Sequence, residues 1–195
     1  RKEYLIPLPP LEIQKEIVKV LDKFTEYDTE LQAELQARVK QYEYYRNKLL
    51  EFNSDIEIKK LGDVFDIRNG YTPSKSNYAY WENGAIPWFR MEDIRENGRI
   101  LNDSIQHITP EAVKGNLFPS NSVIISTTAT IGEPAYITVP FLTNQQITCL
   151  FPKAEYMDKI NMKFIFYYAF KIGEWCKVHA NRGGGLPIIG VNVLA

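Results

Sequence analysis

After three closely spaced prolines, Pro7, Pro9 and Pro10, the chain runs to about Phe52 without a further proline or any glycine, and its apolar residues recur with a period of 3.5. Prolines fix an extended entry, and the last of them suits a first helical turn, where its missing N–H costs nothing. Alternating steps of four and three from Ile17 give Leu21, Phe24, Asp28, Leu31, Leu35, Arg38, Tyr42, Tyr45 and Leu49, a coiled-coil seam broken only by Asp28 and Arg38. The spacing predicts one helix over 10–53, roughly 60 Å long at 1.5 Å per residue. Such a stripe must be buried against another helix. Opposite an antiparallel copy, Asp28 and Arg38 share a central layer and satisfy each other; alternatively they mark a loose helix with a solvated face.

The rest is rich enough in apolar and aromatic residues, 45% and 13% of the chain, to form one full core beside this rod. Net charge is −1, so no overall field draws the chain to nucleic acid, and any such role must rest on local groups. Cys149 and Cys176 lie far apart in apolar contexts, as expected of buried thiols in a reducing compartment, and the cytoplasm is the expected location. No apolar run reaches the ~18 residues of a membrane span, and the first residues are charged and then proline-rich, unlike a signal peptide.

Three parts follow: an extended entry over 1–9, the helix over 10–53, and a globular α+β domain with a mixed sheet and short helices over 55–195. Within the last, a short helix is expected between Lys59 and Phe65 and a turn-rich stretch over 68–83. Strands are expected at 86–90, 123–127, 135–139 and 146–151, where β-branched and aromatic residues cluster between Gly, Pro or Asn. Thr109-Pro110 reads as a helix start. A longer helix carries Ile165, Tyr168, Ala169, Ile172, Trp175 and Cys176 on one stripe, capped by Asn161 or Asp158, with 186–193 returning as a strand. The stretch Gly190-Val191-Asn192-Val193-Leu194 leads naturally into a sequence like Tyr4-Leu5-Ile6-Pro7, so the chain reads as one period of a longer pattern.

No catalytic set stands out. There is no Gly-rich phosphate loop and no Asn-Pro-Pro-Tyr-type amino-methylation motif, and His107 and His179 lack neighbours at metal-ligand spacing. Pro110-Glu111-Ala112-Val113-Lys114 overlaps part of a nuclease pattern, but a helix start explains the same residues.

Several motifs in this order resemble the specificity subunit of type I restriction-modification enzymes: Ile6-Pro7-Leu8-Pro9-Pro10-Leu11-x-x-Gln14, Ile17-Val18-x-x-Leu21-Asp22, Tyr42-x-x-Tyr45-Arg46-Asn47, Asn69-Gly70-Tyr71-Thr72-Pro73-Ser74, Ile86-Pro87-Trp88, the run from Ser126 to Gly132, and Thr143-Asn144-Gln145-Gln146. The resemblance implies a target recognition domain plus one conserved spacer helix, where the family's full subunit carries two of each. It implies double-stranded DNA, methyltransferase subunits and a restriction/translocase subunit as partners. It also implies pairing with an identical chain or a second half-subunit through the long helix. S-adenosylmethionine is then held by the methyltransferase, and this chain is expected to bind no cofactor or metal and to catalyse nothing.

The candidate DNA contacts are groups that read base edges or hold phosphates. Arg68, Asn69, Tyr71, Thr72, Ser74 and Lys75 form one group, or an ordinary surface loop. Trp88 and Arg90 share one face of a strand, with a salt bridge to Glu92 or Asp93 the competing account of Arg90. Thr127, Thr128 and Thr130 end a hydroxyl-rich strand, or are structural β-threonines. Asn144, Gln145 and Gln146 carry amides of the kind that pair with adenine, or buttress the core. Arg182, beside three glycines, closes on a phosphate or marks a hinge. A different class stays open, a coiled-coil protein–protein adaptor without DNA readout.

Overall fold

The computed structural model describes residues 3–53, 55–181, 183 and 185–195; Arg182 lies outside them. The chain divides into two compact units, residues 1–55 and 56–195.

In the first unit, α1 spans Leu11–Leu49. Pro10 is its N-cap, with extended backbone and no capping side chain, and Gln14 ties the entry by donating its side-chain amide to the Pro9 carbonyl at 2.7 Å. Arg46 and Lys48 sit in the last turn, where cations favour the carbonyl end of the helix dipole. The helix stops four residues short of the expected end: Leu50 leaves helical geometry at φ −100°, ψ 10°, and no Gly or Asn follows at once to cap a longer helix. The side chains of Ile17, Leu21, Phe24, Leu31, Leu35, Tyr42, Tyr45 and Leu49 are 49% to 75% exposed. No residue of α1 is buried.

The second unit runs in the order α2 (Leu61–Val64), β1 (Phe65–Asn69), β2 (Ile86–Phe89), α3 (Met91–Asn97), β3 (Ile100–Leu101), β4 (His107–Ile108), β5 (Ser122–Ser126), β6 (Pro134–Ile137), β7 (Leu142–Thr143), β8 (Ile147–Pro152), α4 (Met162–His179) and α5 (Val191–Leu194), with 3-10 turns at Tyr78–Tyr80, Pro110–Ala112 and Ala154–Tyr156. Five strands make one sheet, in the order β1-β8-β5-β6-β3, and three make a second, β4-β2-β7. Pairing is antiparallel except β3 with β6 and β2 with β7.

The larger sheet is covered on both faces, which is why β5 reads as an unbroken apolar run rather than an alternating one. Val123, Ile125 and Leu150 join Phe166 and Ala169 of α4 in one core. Ile124, Cys149 and Ile147 face the other way, into a core with Phe89, Ile108, Phe141 and Leu142 from the smaller sheet. Asn161 caps α4 as expected, its side-chain oxygen accepting from the amides of Lys163 and Phe164. The buried stripe of α4 is Met162, Phe166, Ala169, Gly173 and Cys176; Trp175 is instead 41% exposed and stacks on His179. Residues 186–193 also depart from expectation, forming isolated bridges from Ile188 to Thr128 and Asn181 before turning into α5. The Gly190 N-cap is extended, and the amides of Val193 and Leu194 close back on its carbonyl.

Candidate nucleic-acid interface

Strand register decides which loops meet. Asn69 pairs with Thr148, Ser126 with Ile147 and Ile125 with Pro134, so the end of β1, the start of β8, the end of β5 and the start of β6 lie at one end of the larger sheet. Segments 70–75, 127–133 and 144–146 emerge there together. The smaller sheet adds Arg90, because Phe89 pairs with Thr143 and accepts from the Asn144 amide at 3.2 Å. The segment 187–189 joins through the Ala129 amide on the Pro187 carbonyl and the Ile189 amide on the Thr127 carbonyl, both 2.9 Å.

Two glycine contacts hold these loops in place. A Cβ on Gly70 would run into the Thr143 backbone carbonyl, so only glycine lets the 70–75 segment lie against 143–146. Gly132, at φ +87°, and Gly173 of α4 meet backbone to backbone, each leaving no room for a Cβ on the other. That crossing seats the 127–133 turn on α4.

Of the expected DNA contacts, Trp88 and Thr127 lie in the interior. Trp88 is 2% exposed, donates its indole N–H to the Tyr71 carbonyl at 3.0 Å and meets Trp81 edge to face. Thr127 is 1% exposed, its hydroxyl 2.8 Å from that of Thr148. Both are core residues beneath the surface.

Arg68 and Asn69 lie in β1 rather than in a turn. Arg68 points to the sheet face away from α4, where its guanidinium lies 4.5 Å from the Phe118 ring centroid and donates to the Asn116 and Leu117 carbonyls at 3.2 and 3.3 Å. Asn69 accepts from the Thr148 hydroxyl at 2.6 Å. Tyr71 donates its hydroxyl to the Ala112 carbonyl at 3.1 Å and accepts from the Lys114 amide. These bonds tie β1 to the neighbouring loops, with Arg68 and Asn69 exposed and Tyr71 half-buried. Asn144 and Gln146 do similar work, the Asn144 side chain accepting from the Gln146 amide at 3.0 Å as Asx-turns do.

Further groups at the surface are Thr72, Ser74, Lys75, Arg90, Thr128, Thr130 and Gln145, exposed or half-buried. Thr72 donates to Gln145 at 2.7 Å, and Ser74 pairs with Ser76. Arg90 forms a 2.7 Å ion pair with Glu92 and lies over the Trp88 ring, while its Nε is buried without a partner. Asp93, fully buried, is no ion-pair partner: its carboxylate accepts from the amides of Arg90 and Ile105, both at 2.6 Å. Sequence reading missed Arg95, an exposed residue of α3 whose Nη2 donates to Thr130 at 3.3 Å; nothing in the local sequence signals a contact 35 residues away. Among the described residues, no three His, Cys, Asp or Glu side chains gather as a metal site requires. No described helix is long and apolar enough to cross a membrane.

Residues 2–41 and 53–195 match the sequence profile of the type I restriction modification DNA specificity domain. The chain belongs to this family. Its relatives include the specificity subunit of the type I restriction enzyme EcoprrI of Escherichia coli, 57% identical over 134 residues, covering 68% of this chain and 33% of that one. The EcoR124I/EcoR124II specificity subunit, also of Escherichia coli, is 39% identical over 199 residues, 95% of this chain and 48% of that one. This specificity domain thus spans a third to a half of the length of those relatives. Its fold matches the HsdS subunit of Thermoanaerobacter tengcongensis at TM-score 0.55 and 20% identity, over 97% of this chain and 49% of that one. A chain from a structure of type I restriction-modification assembly and conformational transition matches at TM-score 0.61 and 21% identity, over 97% and 47%. The long helix and the mixed-sheet α+β domain are the architecture of that fold.

Proposed function

We propose that this chain is a sequence-specific DNA-recognition module of a type I restriction-modification complex, reading one half of a bipartite target. The observation that carries the reading is the convergence of segments 70–75, 90–95, 127–133 and 144–146 at one end of the sheet, in a chain of the DNA specificity family. Outward hydroxyls, a side-chain amide and cations are the groups that hold phosphates and read base edges, and strands and buried glycine contacts give them a rigid base. Local rather than net charge does the work, since the chain as a whole is close to neutral.

In this reading α1 pairs antiparallel with a second such helix, from an identical chain or a second half-subunit, and so sets the separation of two half-sites. Setting Asp28 opposite Arg38 brings Leu31 against Leu35, Phe24 against Tyr42, Leu21 against Tyr45 and Ile17 against Leu49, a register in which every apolar seam residue meets another. Methyltransferase subunits carrying S-adenosylmethionine, and a restriction/translocase subunit, complete the complex in the cytoplasm. This chain positions them and performs no chemistry itself.

The test is a fluorescence-anisotropy titration of the full chain on duplex DNA over a salt series. Each phosphate contact steepens the salt dependence by a log–log slope of about −0.9. Binding that weakens steeply with salt supports the proposal, whereas no binding at low salt, with or without methyltransferase, returns the chain to the adaptor reading.

A further inference from the structure

Three arginines stand on or beside α3, and their surroundings differ. Arg90 is ion-paired with Glu92 at 2.7 Å and lies over Trp88. Arg99 is ion-paired with Glu133, donates to the Pro134 carbonyl at 2.9 Å and lies over the Phe170 ring. Arg95 is exposed, and its contact is one 3.3 Å bond from Nη2 to the Thr130 hydroxyl. Its charge is therefore the one of the three left open to an incoming anion or acceptor.

Both ends of that contact are fixed. On the helix side, buried Asp93 accepts from the amides of Arg90 and Ile105, and buried Ile94 packs in the core. On the turn side, the Gly132 amide donates to the Ser126 carbonyl and the Glu133 amide to the Ser126 hydroxyl, both at 2.9 Å. Ala129 adopts φ +64° with its amide on the Pro187 carbonyl. A left-handed non-glycine residue persists only where its surroundings over-determine it, and such positions cluster at functional sites. The Thr130 hydroxyl is thus a fixed post beside the other candidate contacts.

A hydroxyl engages one N–H of a guanidinium and leaves the rest of the donor fork free. Held this way, the fork loses less rotamer freedom on binding than a loose surface arginine does. Pre-aiming matters little to a phosphate, which can be met from many directions, and much to a base edge, where O6 and N7 of guanine require a planar bidentate approach.

We propose that Arg95 is a base-reading residue of this interface, taking the O6 and N7 edge of a guanine, with Thr130 as the positioning residue that aims its guanidinium. This rests on the DNA-recognition function proposed above.

The experiment is selection of bound sequences from a random duplex pool by the full chain, in wild-type, Arg95→Ala, Arg95→Lys, Thr130→Val and Thr130→Ser forms, with thermal unfolding of each as a folding control. Wild type should enrich a site containing a guanine that both Arg95 variants stop selecting, losing about 10- to 100-fold of discrimination there. Arg95→Lys, which keeps the charge and loses the fork, should keep the salt slope of wild type. Thr130→Val should weaken the same preference and Thr130→Ser should preserve it. Unchanged selection in the Arg95 variants, or equal weakening on all sequences with a shallower salt slope, overturns the inference while the DNA-reading function stands. A wild-type chain that enriches no sequence overturns that function and the inference with it.

Discussion

The Thr72 hydroxyl donates to the Gln145 side-chain amide at 2.7 Å across 73 residues of sequence, joining the two loops that Gly70 and Thr143 already press together. A partly solvated bond of this kind contributes about 0.5–1.5 kcal/mol to stability. Its larger effect is on aim, because it fixes which atoms of Gln145 face outward. Thr72→Val should therefore lower the unfolding midpoint by only a few degrees and broaden the set of sequences the chain selects. Sequence selection beside a thermal melt reads both, and a large loss of stability with unchanged selectivity counts against a positioning role.

Glu92 holds Arg90 at 2.7 Å, and its negative charge opposes any approaching phosphate. Glu92→Gln removes that charge and frees the guanidinium. Non-specific affinity for duplex DNA should rise at low salt, with the log–log slope steeper by about one phosphate contact. A salt titration of the variant against wild type checks this, and an unchanged slope places Arg90 off the DNA path.

The Gly132–Gly173 crossing has no space for a side chain on either partner. Gly173→Ala should destabilise the domain by about 1–3 kcal/mol as α4 is pushed from the 127–133 turn, despite alanine's better helix propensity. Urea unfolding measures the cost. Because that turn carries Thr128 and Thr130, DNA selectivity should suffer more than in a variant equally destabilised at a distant core site.

Burial pushes the Cys176 thiol up to about 11 and drives that of Cys149 up as well. In the unfolded chain a thiol ionises near ~8.5, so the unfolded state releases protons first as pH rises. Folding stability attributable to these groups is intact below that value and falls as pH climbs above it. Thiol labelling at pH 8 should be negligible for the native chain and complete in denaturant. Rapid labelling of the native chain contradicts the burial of both residues.

The long helix, the main strands and the capped α4 were legible because each rests on a local signal: a heptad, a β-branched run, Asn161 before an apolar stripe. What was lost came from tertiary pairing. Alternation puts Trp88 and Arg90 on one face of a strand but cannot say that Trp88 is closed over by Trp81 and Tyr71. The threonine run was visible, yet only pairing with β8 decides that Thr127 is interior while Thr130 is exposed. Arg68 looked like a loop residue because Asn69-Gly70 signals a turn; β1 extends through Asn69 to meet Thr148 and carries Arg68 into the sheet. Arg95 was invisible because its partner is set by the fold.

Asp28 and Arg38 are each satisfied along their own helix, Asp28 by Gln32 at 2.7 Å and Arg38 by Glu34 and Gln41 at 3.6 and 3.2 Å. In the antiparallel register proposed above they exchange these exposed partners for one another, twice per symmetric pair. Asp28→Arg sets arginine against arginine in a desolvated layer, and Arg38→Asp sets aspartate against aspartate. Each should weaken self-association by about 3 kcal/mol, the order of cost of breaking a buried ion pair. The double exchange, Asp28→Arg with Arg38→Asp, restores opposite charges at the same positions and should recover the dimer. A parallel pair sets like residues side by side, Asp28 on Asp28 and Arg38 on Arg38, in wild type and double variant alike, and each single exchange only changes the sign at one layer. Light scattering across a concentration series on all four proteins separates the registers: association lost in both single variants and regained in the double variant supports antiparallel pairing, and equal association in all four rules it out.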